Sequence, residues 1–214
     1  MTHAAVVALA PRIRLYPAGA PRPQSDPGWL ALAQHFHGTN EAFVFGDGSH
    51  PTTRLCASVV DQLCRQRQPE SMLDVGTGTG VLARIARARG VTFVVGTDID
   101  PHAIASAAAN SALDAHAVAI GFGAEAPDHW GARFDVIVAN ILEEPLRELA
   151  PALARALAPE GVLAISGFTR VQVPAVRVYY EGRGLHVLGE AHLDEWALLV
   201  LKKPSIAGRL GVTT

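Results

Sequence analysis

At 214 residues the chain is long enough for one well-buried domain and too short for two full ones. A formal net charge of -2, with no block of like charge, excludes the electrostatic footprint of a protein that binds a nucleic-acid backbone. The two cysteines, Cys56 and Cys64, match neither a zinc knuckle nor a disulfide framework; both read as helix residues in a reducing compartment, so a cytoplasmic location is expected. The apolar opening from Ala4 to Ala10 has no basic stretch ahead of it and is far too short to span a membrane.

Residues 1–40 differ in composition from the rest. Pro11, Pro17, Pro21, Pro23 and Pro27, with Gly19 and Gly28 among them, exclude a long helix. This stretch reads as an irregular arm holding one short strand around Arg12 to Tyr16 and a helical turn around Trp29 to Phe36. Pro51 begins a helix over Thr52 to Arg67, with Leu55, Val59, Val60 and Leu63 at helical spacing. Strands and helices then alternate: strand Met72 to Val75, helix Val81 to Arg89, strand Thr92 to Thr97, helix Pro101 to Leu113 and a short strand at Ala117 to Ile120. A strand at Phe134 to Ala139 precedes a helix from Glu144 to Leu157, and a strand at Val162 to Ser166 precedes a helix around Val171 to Arg183.

Such alternation requires right-handed crossovers and a mostly parallel sheet covered by helices on both faces, an α/β fold. The last two apolar runs, Leu185 to Leu188 and Ala197 to Leu201, are joined by too few residues for a crossover helix and predict an antiparallel hairpin. The expected organisation is therefore a proline-rich arm over 1–40, one domain over 41–203 with a seven-stranded sheet, and a flexible tail over 204–214.

The run Leu73-Asp74-Val75-Gly76-Thr77-Gly78-Thr79-Gly80 carries the chemistry. An apolar strand ends at Asp74, and Gly76, Gly78 and Gly80 let the backbone turn tightly and approach a ligand. The next strand delivers Asp98, a carboxylate suited to a ribose diol. A dinucleotide fingerprint needs a third small residue where Val81 stands, which disfavours a nicotinamide oxidoreductase. Asp74 would crowd a pyrophosphate but suits a cation. S-adenosylmethionine carries a sulfonium, an ammonium and a ribose without phosphate, and matches an acid-rich glycine loop.

Asp98 and Asp100 flank Ile99; Asp98 is assigned to the ribose, and Asp100, directly before Pro101, to the N-cap of the following helix. Glu125, just after the third strand of the alternating series, is a candidate for reading the adenine amino group. In the loop from Phe45 to Thr53, Gly46 and Gly48 supply flexibility, His50 reads as a brace, and Thr52 and Thr53 either cap the helix or donate to a ligand carboxylate. Asn140, just beyond a strand, needs partners among apolar neighbours and is a candidate to orient an attacking amine or to bond the cofactor.

Together the segments Phe45 to Thr53, Leu73 to Gly80, Gly96 to Pro101, Val138 to Leu142 and Ser166-Gly167 resemble the PrmA family, bacterial methyltransferases of ribosomal protein L11, over about residues 43–203. The resemblance implies a class I methyltransferase with a Rossmann-like sandwich, cofactor contacts at Thr53, Gly76, Asp98 and Asn140, and methylation of protein lysine side chains and N-terminal amines. The pattern departs from the family at Asp47, Thr77 and Thr79, where other small or hydroxyl residues are usual, and only the proline-rich arm stands where the family carries a substrate-recruiting domain.

The expected function is an S-adenosylmethionine-dependent N-methyltransferase. Its cofactor would be held by Thr53, Asp74, Gly76, Gly78, Gly80, Asp98, Glu125 and Asn140, with Asn140 as the catalytic residue. Its acceptor would be a protein, peptide or small-molecule amine, with no direct nucleic-acid or membrane partner and no metal. A non-catalytic module that retains the cofactor pocket is the alternative.

Overall fold

The structure is a computed structural model describing residues 6–24, 27–36, 44–114, 120–130 and 134–205. The described residues form ten strands and five α-helices. Strands β1 (Val7–Ala10), β2 (Ile13–Pro17) and β3 (Leu30–Gln34) make a small sheet, β1 antiparallel and β3 parallel to β2. Helix α1 (Pro51–Arg67) leads into the alternating series β4 (Ser71–Val75), α2 (Val81–Ala88), β5 (Phe93–Thr97), α3 (Pro101–Ser111), β6 (Ile120–Gly123), β7 (Phe134–Asn140), α4 (Glu143–Ala156), β8 (Leu157–Thr169) and α5 (Val173–Glu181). The hairpin of β9 (His186–Leu193) and β10 (Trp196–Lys202) closes the chain.

The large sheet runs β6-β5-β4-β7-β8-β10-β9. Pairs from β6 through β8 are parallel, and β10 lies antiparallel between β8 and β9, as the short link between the last two strands demands. Both faces are buried, and the strand period of two divides the side chains between them. Met72, Val136, Val138, Ala164 and Leu198 face a core shared with α1 and α2. Leu73, Ile137, Ala139, Leu163, Leu199 and Leu201 face a second core beneath α4 and α5. Cys56 and Cys64 are free and buried on α1.

The N-terminal region corrects the sequence reading. The strand near Arg12 to Tyr16 is present as β2, but Trp29 to Phe36 holds a strand where a helical turn was expected, and β1 supplies a third. Leu30, Ala31, Leu32 and Ala33 are good helix formers, yet pairing residue for residue with β2 buries four of the five residues of β3; tertiary contact overrides propensity. Leu9, Ile13, Leu15 and Leu32 enter the same core as Val60 and Ile85, so this region is packed against the helices.

Three smaller differences follow local chemistry. The strand expected at Ala117 to Ile120 lies at Ile120–Gly123, its expected first three residues falling outside the described ones; Gly121 and Gly123 mask its apolar pattern. The last helix is split into a 3-10 turn over Arg170–Gln172, closed by a capping box between Thr169 and Gln172, and α5 with a proline in its first turn. Strand β8 continues on both sides of the expected Val162 to Ser166 segment. Of the tail expected over 204–214, residues 206–214 lie outside the described ones.

Candidate active site

Strand β4 sits where the order reverses, with β5 and β6 to one side and β7 and β8 to the other, and ligands in open parallel sheets bind beyond the carboxyl ends of the strands at that point. The residues after β4 turn back tightly because the N–H groups of Gly76 and Thr77 both donate to the carbonyl of Thr97, at 2.8 and 2.9 Å. Gly76 and Gly78 have positive φ. A Cβ at Gly78 would stand 2.2 Å from the Phe45 carbonyl oxygen, and one at Gly76 would stand 2.2 Å from Ile141 Cγ2. Glycine is therefore required at both positions by conformation and by space.

The loop before α1 is clamped onto this turn. Thr79 donates from its N–H to the Phe45 carbonyl at 3.0 Å and from Oγ1 to the Gly46 carbonyl at 2.7 Å, while Gln34 Nε2 donates to the same Gly46 oxygen at 3.3 Å. Asn110 joins α3 to both elements: its amide donates to the Thr79 carbonyl at 3.1 Å and its oxygen accepts from the His35 N–H at 2.8 Å. His50 caps α1 through Nδ1, 3.3 Å from the Thr52 N–H, and its ring packs between Phe45 and Trp196. It is a brace, as its position in the loop predicts. The family departures also have local roles: Asp47 accepts from the Ser49 N–H and hydroxyl, and Thr77 Oγ1 donates to Asp74 at 2.7 Å.

Beyond the strand ends opens a cleft of about 600 Å³. Gly76, Gly78, Asp98, Glu125 and Asn140 all line it, so five of the residues singled out in sequence converge on one space. Asp98 Oδ2 accepts from the Gly78 N–H at 3.0 Å and Oδ1 accepts from the Asp100 N–H at 3.0 Å, which fixes the carboxylate while leaving further lone pairs open. Asp100 caps α3, accepting from the His102 N–H at 2.8 Å. Glu125 is exposed at the rim, its carboxylate folded against Gly123.

Thr53, Asp74 and Gly80 are not in the cleft wall. Gly80 caps α2 with positive φ and lets α2 approach Ala107 of α3. Asp74 is wholly buried beneath the turn, where its Oδ2 holds Thr77 and also accepts from the Ala83 N–H at 3.2 Å. Burial pushes its carboxyl up to about 7 against the lowering effect of those two hydrogen bonds, and the charge of Asp98 adds to the rise. Burial likewise drives the Cys56 thiol upward and the Cys64 thiol up to about 12, which removes both as nucleophiles.

Six buried side-chain nitrogen or oxygen atoms lack a hydrogen-bond partner among the described residues. The three oxygens in that set are Thr53 Oγ1, Asp74 Oδ1 and Asn140 Oδ1. Buried acceptors without partners are uncommon in folded proteins, and here they belong to residues that the sequence assigns to one ligand. Of these three, only Asn140 Oδ1 belongs to a residue of the cleft wall; with the glycine cradle and the fixed Asp98 carboxylate it fits a polar, nucleoside-bearing, cationic molecule. No group of His, Cys, Asp and Glu among the described residues is arranged to hold a metal.

Two cleft residues escaped the sequence reading. Ile99 is 95% exposed and Leu142 70% exposed, each apolar and standing just past a strand end. Together they give the cleft an exposed apolar surface of the kind found in ligand-binding grooves. The available signal was an isoleucine between two aspartates, where a turn would ordinarily be polar throughout.

The model of the family described as ribosomal protein L11 methyltransferase (PrmA) matches residues 40–204. A ribosomal protein L11 methyltransferase from Bradyrhizobium diazoefficiens is 42% identical over 168 residues, which is 76% of this chain and 57% of that protein. One from Burkholderia vietnamiensis is 38% identical over 174 residues, 81% of this chain and 54% of that protein. The chain thus spans a little over half the length of these relatives. Among solved structures, a ribosomal protein L11 methylase from Lactobacillus delbrueckii subsp. bulgaricus superposes with a TM-score of 0.80 at 25% identity, covering 93% of this chain and 98% of that one. The N-methyltransferase NodS from Bradyrhizobium japonicum, solved with S-adenosyl-L-homocysteine, has a TM-score of 0.59 at 16% identity, covers 73% of this chain and 90% of that one, and shares the fold. With this match over most of its length, the chain belongs to the ribosomal protein L11 methyltransferase (PrmA) family.

Proposed function

We propose that this chain is an S-adenosylmethionine-dependent N-methyltransferase whose acceptor is an amine of a protein, a lysine side chain or an N-terminus. The observation that carries the reading is Asn140 Oδ1, buried and unpartnered at the end of β7, in the same cleft as the Asp98 carboxylate at the end of the β4-adjacent strand β5. The family name of the relatives supports a protein acceptor.

When bound, S-adenosylmethionine supplies a methyl group made electrophilic by its sulfonium. Asp98 would hold the ribose hydroxyls, and the Gly76 to Gly78 backbone would let the ligand approach the strand ends. Glu125, at the exposed rim, would read the adenine amino group. Thr53, in the first turn of α1, and Asp74, beneath the glycine turn, stand behind the cleft wall, where Asp74 would support the ligand by holding that turn through Thr77 and Ala83.

The acceptor must arrive uncharged. A free lysine, with a pKa of about 10.4, is neutral at pH 7 at a cost of roughly 4.6 kcal/mol. Burial among Phe45, Leu142 and Leu149 disfavours the ammonium and lowers that cost without a dedicated base. Asn140 Oδ1 then accepts one amine N–H and aims the lone pair along the line of attack, so the chain contributes chiefly by positioning.

Calorimetry with S-adenosylmethionine tests the cofactor assignment: Asp98→Ala should weaken binding by at least about tenfold, and unchanged affinity rejects it. Transfer of labelled methyl to ribosomal protein L11 tests the activity. Asn140→Ala should lower turnover by about a hundredfold, and wild-type turnover rejects its role.

A further inference from the structure

Away from the cleft, the outer face of α1 borders two adjoining crevices of about 390 and about 400 Å³ that share Pro11 and Ser58. The first lies between β1 and the end of β9, which are edge strands of the two sheets. The second continues along α1 to Arg65 and Gln66. From Arg54 to Gln66 the helix rises about 18 Å, the span of about five extended residues.

The groove is positive in a chain whose net charge is -2. Arg12, Arg14, Arg54 and Arg65 line it, against Asp61 as its one carboxylate among the described residues. Asp61 is already held by Arg89 at 2.6 Å and Arg65 at 3.8 Å. Arg12, Arg14 and Arg54 make no ion pair among the described residues. The Arg14 guanidinium lies over the Trp29 ring, 4.3 Å from its centroid, which orients that cation and covers the ring face on which a base would stack. The strands β1 and β9 instead have no sheet partner on one side among the described residues, and an edge of that kind is what a peptide main chain takes in strand addition.

We propose that this groove docks an extended acidic peptide segment of a partner protein, its carboxylates meeting Arg14 and Arg54 and its main chain lying along β1. The groove is joined to the cleft wall by a chain of packed residues. Leu193, at its end, pairs with Trp196, whose ring rests on His50, which in turn packs on Phe45 of the cleft wall. Docking needs no cofactor and stands or falls separately from the catalytic reading.

The experiment is fluorescence anisotropy with the whole chain, no cofactor, and labelled hexaglutamate, hexalysine and hexauridylate as probes. Hexaglutamate should bind and weaken at least tenfold with Arg54→Glu, an exposed position that leaves the core intact. Arg14→Glu should act likewise, and Arg155→Glu, on α4, should not. Hexalysine should not bind. Absence of hexaglutamate binding, insensitivity to Arg54→Glu, or equal loss with Arg155→Glu overturns the groove. Hexauridylate binding as tightly as hexaglutamate overturns its assignment to a peptide.

Discussion

The cleft at the strand ends and the small sheet formed by β1, β2 and β3 are stabilised in opposite ways. Around the cleft the backbone is forced through positive φ at Gly76 and Gly78, and buried oxygens of Thr53, Asp74 and Asn140 are left without partners. In the small sheet, Leu9, Ile13, Leu15 and Leu32 are buried, and a charge from α2 is engaged at its edge. Arg84, itself 1% exposed, donates to Asp114 at 2.7 Å, to Gln34 at 3.5 Å and to the Ala33 carbonyl, tying α2 to β3. The cleft wall keeps an open Asn140 oxygen that a ligand can complete, whereas the Arg84 cluster satisfies itself within the fold. The supporting element nevertheless reaches the site, because Gln34 holds Gly46 and His35 holds Asn110, and both grip the glycine turn.

The largest break of this contrast should come from Gly78→Ala. The alanine would need φ near +52 and would bring its Cβ to 2.2 Å from a backbone oxygen, so the clamp between Phe45 and Thr79 must open. We expect a loss of about 5 kcal/mol in chemical denaturation, together with loss of S-adenosylmethionine binding. Unchanged affinity in the variant would mean that the turn does not form the cradle.

Asp74 sharpens the contrast through pH. Its carboxyl is raised in the folded chain by burial, from 3.8 to about 7. Between those values the folded chain holds a proton that the unfolded chain has lost, so stability falls as pH rises from about 4 to about 7 and is level on either side. The change is on the order of 4 kcal/mol. Asp74→Asn keeps an acceptor for Thr77 and Ala83 and should abolish that slope. Denaturation curves of the two proteins that run parallel from pH 4 to 8 would remove Asp74 as the titrating group.

For the small sheet the test is Ile13→Ala. Ile13 is wholly buried in the core shared with Val60 and Ile85, and its truncation should lower stability by about 3 kcal/mol while leaving cofactor affinity in place. A loose arm would register about 0.5 kcal/mol or less.

The same two regions differ in how far their structure can be read from sequence. The glycine turn, Asp98 and Asn140 are legible because their geometry is imposed locally: glycine where φ is positive, a carboxylate at one strand end, an amide at the next. The alternation of strands and helices is legible because both sheet faces are buried and the runs are apolar. In the small sheet, Leu30 to Gln34 carries no strand signature, and its conformation is decided by pairing with β2 and burial on α1 and α2. The clamp made by Gln34, Asn110 and Arg84 joins residues 12 to 50 positions apart, and its members look like ordinary surface polar residues in the linear chain. Ile99 and Leu142 were hidden for the converse reason, since their apolar character has meaning only beside an open cleft.

The smallest effect separates two aspartates on one turn. Asp98 and Asp100 both line the cleft, but Asp100 uses its side chain to cap α3, and what it gives Asp98 is a backbone N–H. Alanine at position 100 keeps that N–H and loses only the cap, so Asp100→Ala should lower stability by about 1 kcal/mol and Asp100→Asn should restore it. Affinity for S-adenosylmethionine should stay within about twofold of wild type in both, because the proposed ribose contact is assigned to the neighbouring carboxylate. If Asp100→Ala instead loses affinity as far as Asp98→Ala does, the two carboxylates share the ribose, and the division between a ligand-completed acid and a self-satisfied one fails at its closest pair.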